Sequence, residues 1–169
     1  MNNLKKLKIL ITGSSRGIGL AIARKLSQNK NNLIYINGRN QKKLLKVKKE
    51  IKNCHLIKGD ITNEKALKKI SNRIKDLDVL ICNIGDGKSA IVGKEKKIDW
   101  EKSFNSNFYS AVDTIKAFEK KLIRTKGTIV CISSICGLEY IKGAPITYSV
   151  SKAALNTFVR SYSKFLGKD

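Results

Sequence analysis

Tyr148 and Lys152 stand four residues apart in this 169-residue chain. On a helix that spacing puts a phenol and an ammonium on one face. A free phenol, with a pKa of about 10, is a poor acid or base near neutrality. A neighbouring ammonium favours the phenolate and brings the group toward the working range of general acid–base chemistry. Of the five tyrosines only Tyr148 has lysine at the fourth position after it; Tyr35 has Arg39 there, Tyr109 Asp113, Tyr140 Ala144 and Tyr162 Leu166. A second stretch, Lys8 to Gly19, reads as an apolar strand, then glycines at 13, 17 and 19, then the helical run Leu20-Ala21-Ile22-Ala23. Glycines that deliver a strand to a helix N-terminus leave backbone N–H groups facing outward, a cradle for an anion such as a pyrophosphate. The glycine spacing alone is equally that of an ordinary strand–turn–helix corner. Gly87-Lys88-Ser89 looks like the end of an ATP-binding P-loop, but that motif needs glycine five positions before Gly87, where Cys82 stands. We expect that loop to border a substrate pocket instead.

These residues need elements to position them, and strand and helix patterns alternate with short connections, as in a parallel sheet covered by helices. Ile9 to Thr12 reads as the first strand. A helix over about 18–29 follows, with Ile18, Ala21, Ile22 and Leu26 on its inward face. Leu33 to Ile36 forms a second strand, and Asn40 is a fitting N-cap for a helix over about 41–52 with Leu44, Val47 and Ile51 inward. A third strand, His55 to Ile57, closes at Gly59-Asp60, and Thr62 or Asn63 caps a helix over about 64–75. Asp78 to Cys82 is the fourth strand. A long helix over about 99–124 turns Trp100, Phe104, Phe108 and Val112 inward. Thr128 to Ile132 is the fifth strand, and a final helix runs from about Thr147 to Leu166. The expectation is a single α/β domain over residues 1–169, a doubly wound parallel sheet of about five strands. Such sheets bind ligands beyond the carboxyl ends of their strands, and Gly13, Gly38-Arg39, Asp60, Asn83 and Ser134 all fall at strand ends.

Composition narrows the class. Hydrophobic content of 41% with 28% charged residues is that of a soluble globular protein. The net charge of +22, from 35 Lys and Arg against 13 Asp and Glu, would suit a nucleic-acid or anionic-membrane surface. The lysines are spread over every expected helix, however, so a general bias toward Lys, Asn and Ile is the preferred explanation. Cys54, Cys82, Cys131 and Cys136 form no Cys-x-x-Cys pair, and we expect free thiols in a reducing, cytoplasmic setting. The lone His55 makes no metal site, and no apolar run is long enough to cross a bilayer.

Taken together, the motifs resemble those of the short-chain dehydrogenase/reductases, in the branch similar to 3-oxoacyl-carrier-protein reductases. Thr12-Gly13-Ser14-Ser15-Arg16-Gly17-Ile18-Gly19 stands for that branch's Thr-Gly-x-x-x-Gly-x-Gly, and Cys82-Asn83-Ile84-Gly85 for its Asn-Asn-Ala-Gly. Asn107, Ser134 and Tyr148-x-x-x-Lys152 match its active-site asparagine, serine and Tyr–Lys pair in order. The resemblance implies a Rossmann-like fold and a nicotinamide oxidoreductase acting on a carbonyl or secondary alcohol. It implies a catalytic set of Asn107, Ser134, Tyr148 and Lys152: Tyr148 passes the proton, Ser134 holds the substrate oxygen, and Lys152 acts on the phenol and holds the nicotinamide ribose. Asn107 would position a water linking Lys152 to solvent. The implied cofactor residues are Gly13, Ser15, Arg16, Gly17, Ile18, Gly19, Arg39, Asp60, Ile61, Asn83, Gly85, Tyr148 and Lys152, with no metal. An acidic residue at the end of the second strand would select NAD. Neutral Asn37 stands there, followed by Gly38-Arg39, with Arg16 in the glycine turn, so NADP is favoured over NAD.

The sequence departs from the family in Cys82 and Ile84, and at its end. The resemblance implies two further strands and a substrate-covering segment, so we expect a fragment of a longer protein, a homo-oligomer at full length. Two other readings stay open: an NADP-binding or regulatory protein of the same fold without turnover, and a basic nucleic-acid binder.

Overall fold

Ile9, Leu10 and Ile11 are apolar in succession, with no polar face to offer water, and the chain buries all three in β1 (Lys8–Ile11). The computed structural model describes residues 6–87 and 91–167. Lys88 and Ser89, of the Gly-Lys-Ser stretch, lie outside the described residues. The remaining strands are β2 (Leu33–Gly38), β3 (Cys54–Lys58), β4 (Val79–Cys82) and β5 (Thr128–Cys131). They form one five-stranded sheet in the order β3-β2-β1-β4-β5. β1 runs parallel to both β2 and β4, and β2 parallel to β3, with Ile9 level with Ile34 on one side and Val79 on the other. The chain winds outward from β1 to β3, then returns to β4 on β1's other side. That reversal makes the carboxyl end of β1 the topological switch point, as expected for a doubly wound sheet.

The described residues divide into two units, one holding the chain up to Asn83 with Asp113–Val130, the other Ile84–Val112 with the chain from Cys131 onward. The first carries the sheet and the helices α1 (Gly17–Ser27), α2 (Gln41–Glu50) and α3 (Glu64–Arg73). Asn40 and Asn63 cap α2 and α3, each accepting from the backbone N–H three residues on, Lys43 and Ala66. Leu44, Val47, Leu67, Ile70, Ile115 and Phe118 complete an apolar interior. One expectation fails in α1. Ile18 is 63% exposed and Ala21 is also outside, while Gly19 and Ala23 are buried. The buried stripe is Gly19, Ala23 and the half-buried Ile22 and Leu26. Gly19 anchors it, because a Cβ there would fall 2.4 Å from Asn83 Nδ2 and 3.0 Å from Ser14 Cα.

The second unit differs in kind. It holds α4 (Lys97–Phe104), a π turn (Asn105–Tyr109), the start of α5 (Ser110–Thr125), a 3-10 turn (Ile135–Gly137) and α6 (Ile146–Leu166). The helix expected over 99–124 is found as one unbroken helical run, 97–125, with the π turn inside it. Its extra residue at the π turn resets the periodicity, so Ser103, Asn107 and Ser110 are buried while Trp100, Phe104 and Phe108 are only half-buried. Phe104, Phe108, Phe158, Tyr162 and Phe165 form a row of ring contacts, Phe158 stacking on Tyr162 at 4.9 Å. The buried side chains of this unit are mostly polar: Ser103, Asn107, Ser110, Thr147, Ser151 and Lys152, beside Ala111, Val112 and Leu155. Polar groups are expensive to bury, so such an interior marks a site rather than a core.

Candidate active site

In the first unit the glycine turn is held by hydrogen bonds from both flanking strands. The Thr12 hydroxyl accepts from Asn83 N–H at 2.9 Å, and Asn83 Nδ2 donates back to Thr12 O at 3.0 Å. Ser14 Oγ donates to Ile11 O at 2.6 Å and accepts from Asn37 N–H at 3.0 Å. Gly13 and Gly17 take φ of 62° and 57°, the left-handed region that glycine adopts without steric cost. The N-cap of α1, Arg16, makes no side-chain capping bond, and the first turn of the helix carries no acidic residue. The first-turn N–H groups thus meet no carboxylate from within α1, and a Cβ built on Gly17 would meet nothing within 4 Å. This donor set fits a pyrophosphate.

Asn37, the neutral residue near the end of β2, points its amide inward. It is 1% exposed, with Oδ1 accepting from Gly13 N–H at 3.2 Å and Nδ2 donating to Ile57 O at 3.0 Å and Gly59 O at 3.2 Å. It brackets the glycine turn to the ends of β2 and β3 and is not available to a ribose. The residue that leaves the strand end without charge is Gly38, where a Cβ would come 2.9 Å from Ser15 Oγ. Arg39 is exposed, its Nη1 3.4 Å from Asp60 Oδ2. Burial opposes ionisation of Asp60, but the Thr62 hydroxyl and N–H, with the Arg39 guanidinium, outweigh it and hold the carboxyl below its ordinary range. Ile61 is buried, leaving its backbone as the part able to meet a ligand, whereas the exposed side chain of Ile18 stands free on the first turn of α1.

In the second unit, Lys152 is 3% exposed and its Nζ donates to Ile132 O at 2.8 Å. That Nζ lies 6.0 Å from the centre of the Tyr148 ring. Burial pushes the ammonium's pKa down, partly offset by Cys131. Gly85 allows the close approach here: a Cβ on it would sit 3.0 Å from Asn107 Oδ1 and 3.2 Å from Lys152 Nζ. Gly85, Asn107, Tyr148 and Lys152 are thus brought together. Asn107 is fully buried, gripped by the backbone of Asp86, whose N–H donates to Oδ1 at 2.8 Å and whose carbonyl accepts from Nδ2 at 3.0 Å. Ser134 caps the 3-10 turn, its Oγ accepting from Cys136 N–H at 3.2 Å, which leaves the hydroxyl proton to be donated. Gly137 lets that turn lie directly on α6, where a Cβ would meet the Lys152 carbonyl carbon at 2.8 Å.

Sequence reasoning missed Asp86, Ser103 and Ser151. Asp86 acts through its backbone, which no side-chain pattern reveals. Ser103 and Ser151 were not singled out, since nothing in residue type or spacing marks a helical serine as buried.

A family model described as short chain dehydrogenase matches residues 7–169. The 3-oxoacyl-(acyl-carrier-protein) reductase of Rickettsia typhi is 33% identical over 156 residues, 91% of this chain and 64% of that protein. A short-chain dehydrogenase/reductase structure from Saccharomyces cerevisiae superposes with a TM-score of 0.86 at 31% identity, over 94% of this chain and 65% of that one. A Pseudomonas aeruginosa protein, RhlG, solved as an NADP active-site complex, gives 0.86 at 25% identity, over 96% of this chain and 68% of the other. The chain therefore spans a little under two thirds of the Rickettsia protein's length, 64%.

Proposed function

The chain belongs to the short-chain dehydrogenase family, and on that premise we propose that it is the catalytic portion of an NADP-dependent oxidoreductase acting on a carbonyl or secondary alcohol. The cofactor would supply the hydride. The residues of the chain do the rest. Gly13, Gly17 and Gly19 with the first-turn N–H groups of α1 bind the pyrophosphate, supported by Ser15 and the exposed Ile18. Arg39 and Arg16 meet the 2′-phosphate, a dianion suited to guanidinium forks. Asp60 and the Ile61 backbone border the adenine, and Asn83 braces the turn.

At the reacting end, Ser134 donates its hydroxyl proton to the substrate oxygen and holds it. Tyr148 gives the phenolic proton to that oxygen in reduction and takes it back in oxidation. Lys152 places a positive charge behind the phenol, stabilising the oxyanion that proton transfer leaves, and its remaining N–H groups hold the nicotinamide ribose. Gly85 keeps the space beside Lys152 open. Asn107 touches no reacting atom; it holds the loop at Asp86 and, through a water, completes the proton path from Lys152.

The observation that carries this reading is the buried Lys152, spent on one backbone carbonyl and aimed past Gly85 beside Tyr148. A structural lysine would seek a carboxylate. The test combines NADPH titration with a carbonyl-reduction assay on wild type and Tyr148→Phe. We expect both to bind NADPH alike, with turnover falling by about a thousandfold in the variant. Binding without turnover in the wild type would instead favour a regulatory role, and absence of NADPH binding would sink the proposal.

A further inference from the structure

Behind Asn107 lies a set of buried hydroxyls that the chemistry above does not use. Ser103 is 6% exposed and Ser151 fully buried, on α4 and α6 respectively, and their Oγ atoms are 3.3 Å apart. The direction of that bond follows from the number of protons available. Each serine hydroxyl has one to give. Ser151 gives its proton to Tyr148 O, 2.8 Å away in the preceding turn. The contact with Ser103 must then be donated by Ser103. Ser103 Oγ in turn accepts from Asn107 Nδ2 at 3.2 Å. Asn107 cannot be turned over, because Asp86 N–H requires an acceptor at Oδ1. Of its two amide protons, one goes to Asp86 O and the other is shared between Ser103 O, at 3.0 Å, and Ser103 Oγ.

We propose that Ser103 and Ser151 are positioning residues, forming a one-way chain of hydrogen bonds from the Asn107 amide through both hydroxyls to the main-chain carbonyl of Tyr148. The chain ties the π turn to α6 at the turn that carries the acid–base tyrosine. An apolar pair at 103 and 151 would hold the two helices together equally well but would leave the Asn107 amide only its backbone partners, Asp86 and Ser103 O, with no link to the turn of Tyr148. Bonds donated in one direction polarise one another, so the chain resists rotation of any member. The hydroxyls thereby reinforce the hold of the Asp86 backbone on Asn107 and fix the turn of Tyr148 relative to it. The catalytic part of this inference rests on the oxidoreductase reading; the geometric part does not.

Two measurements on the full chain test it. In steady-state kinetics, Ser103→Ala and Ser151→Ala should each lower kcat about tenfold while leaving KM for NADPH and for the carbonyl substrate within about twofold. The double variant should lose little more than either single one, since both break the same chain. Ser103→Thr, which keeps the hydroxyl, should recover most of kcat. In NMR, exchange of the Asn107 side-chain amide protons should be about tenfold faster in Ser103→Ala than in wild type. A kcat that stays within about twofold in either alanine variant, or fully additive losses, would overturn the catalytic part. Unchanged amide exchange would overturn the chain itself. Should Ser103→Ala fail to fold, Ser151→Ala and Ser103→Cys carry the same comparisons. A wild type without turnover would refute the oxidoreductase reading alone, while the exchange measurement still decides whether the chain exists.

Discussion

Charge at the carboxyl end of β2 decides which dinucleotide the proposed site prefers. Gly38 presents no side chain there and Arg39 is exposed beside Asp60. Arg39→Asp should weaken NADPH binding far more than NADH binding, because it removes a cation from the 2′-phosphate and adds a repelling carboxylate. Fluorescence titration with both nucleotides reads this directly, and equal losses would reject the preference for NADP. Lys152 makes a second residue-scale prediction. Its pKa is lowered in the folded state, so folding releases protons between the folded and unfolded values and stability rises with pH through that window. Below it the buried ammonium costs stability in full. Lys152→Met keeps the length of the side chain and removes the charge. The variant should melt above wild type near neutrality, its advantage shrinking as pH climbs toward about 10.4, while turnover is lost. A variant that melts lower at every pH would show that the bond to Ile132 O outweighs desolvation. Tyr148 and Lys152 stood out by side-chain type and four-residue spacing, whereas Ser134 and Asn107 were nominated only through the family resemblance. The bracketing role of Asn37 was not legible, because its position at a strand end does not say which way its amide points.

Among the elements, the turn between β1 and α1 carries the most constraint. Gly17 holds φ of 57° with open space around it, so a methyl there meets no atom but must adopt a left-handed backbone. Gly17→Ala should cost about 1 kcal/mol in chemical denaturation, the intrinsic penalty of that conformation. Little or no loss would mean that the turn relaxes to accept an L residue. The succession of strands and helices along the chain could be read from the sequence, since alternation of apolar runs with amphipathic periods survives any tertiary context. The π turn could not. Asn105-Ser106-Asn107-Phe108-Tyr109 has no sequence feature that separates it from plain α-helix; the extra residue is accommodated because Asp86 and Ser103 take up the amide of Asn107. The same reset moved Trp100 and Phe104 from the expected interior to half-buried positions.

For the molecule as a whole, 35 basic residues face 13 acidic ones. The ion pairs among the described residues, such as Arg24–Glu50 at 2.6 Å and Lys8–Asp76 at 2.9 Å, sit at the surface, where each contributes little. Self-repulsion should therefore dominate the long-range electrostatics. Raising ionic strength from about 0.01 M toward about 0.15 M shortens the screening length from roughly 30 Å to 8 Å and should raise the melting temperature. A fall with added sodium chloride would show that the surface pairs matter more than the net charge.

By itself the sequence determined the family, the five strands and the glycine turn, because each depends on residue type at a local spacing, and it nominated four residues for chemistry. Only the tertiary structure decided how those residues are held. Asn37 bracketing the turn, Asp86 gripping Asn107 by its backbone, and Ser103 meeting Ser151 in the hydroxyl chain join residues 24, 21 and 48 positions apart. Hydrogen bonds of that reach depend on where atoms sit after packing, and on which backbone groups are left over once helices and strands have formed.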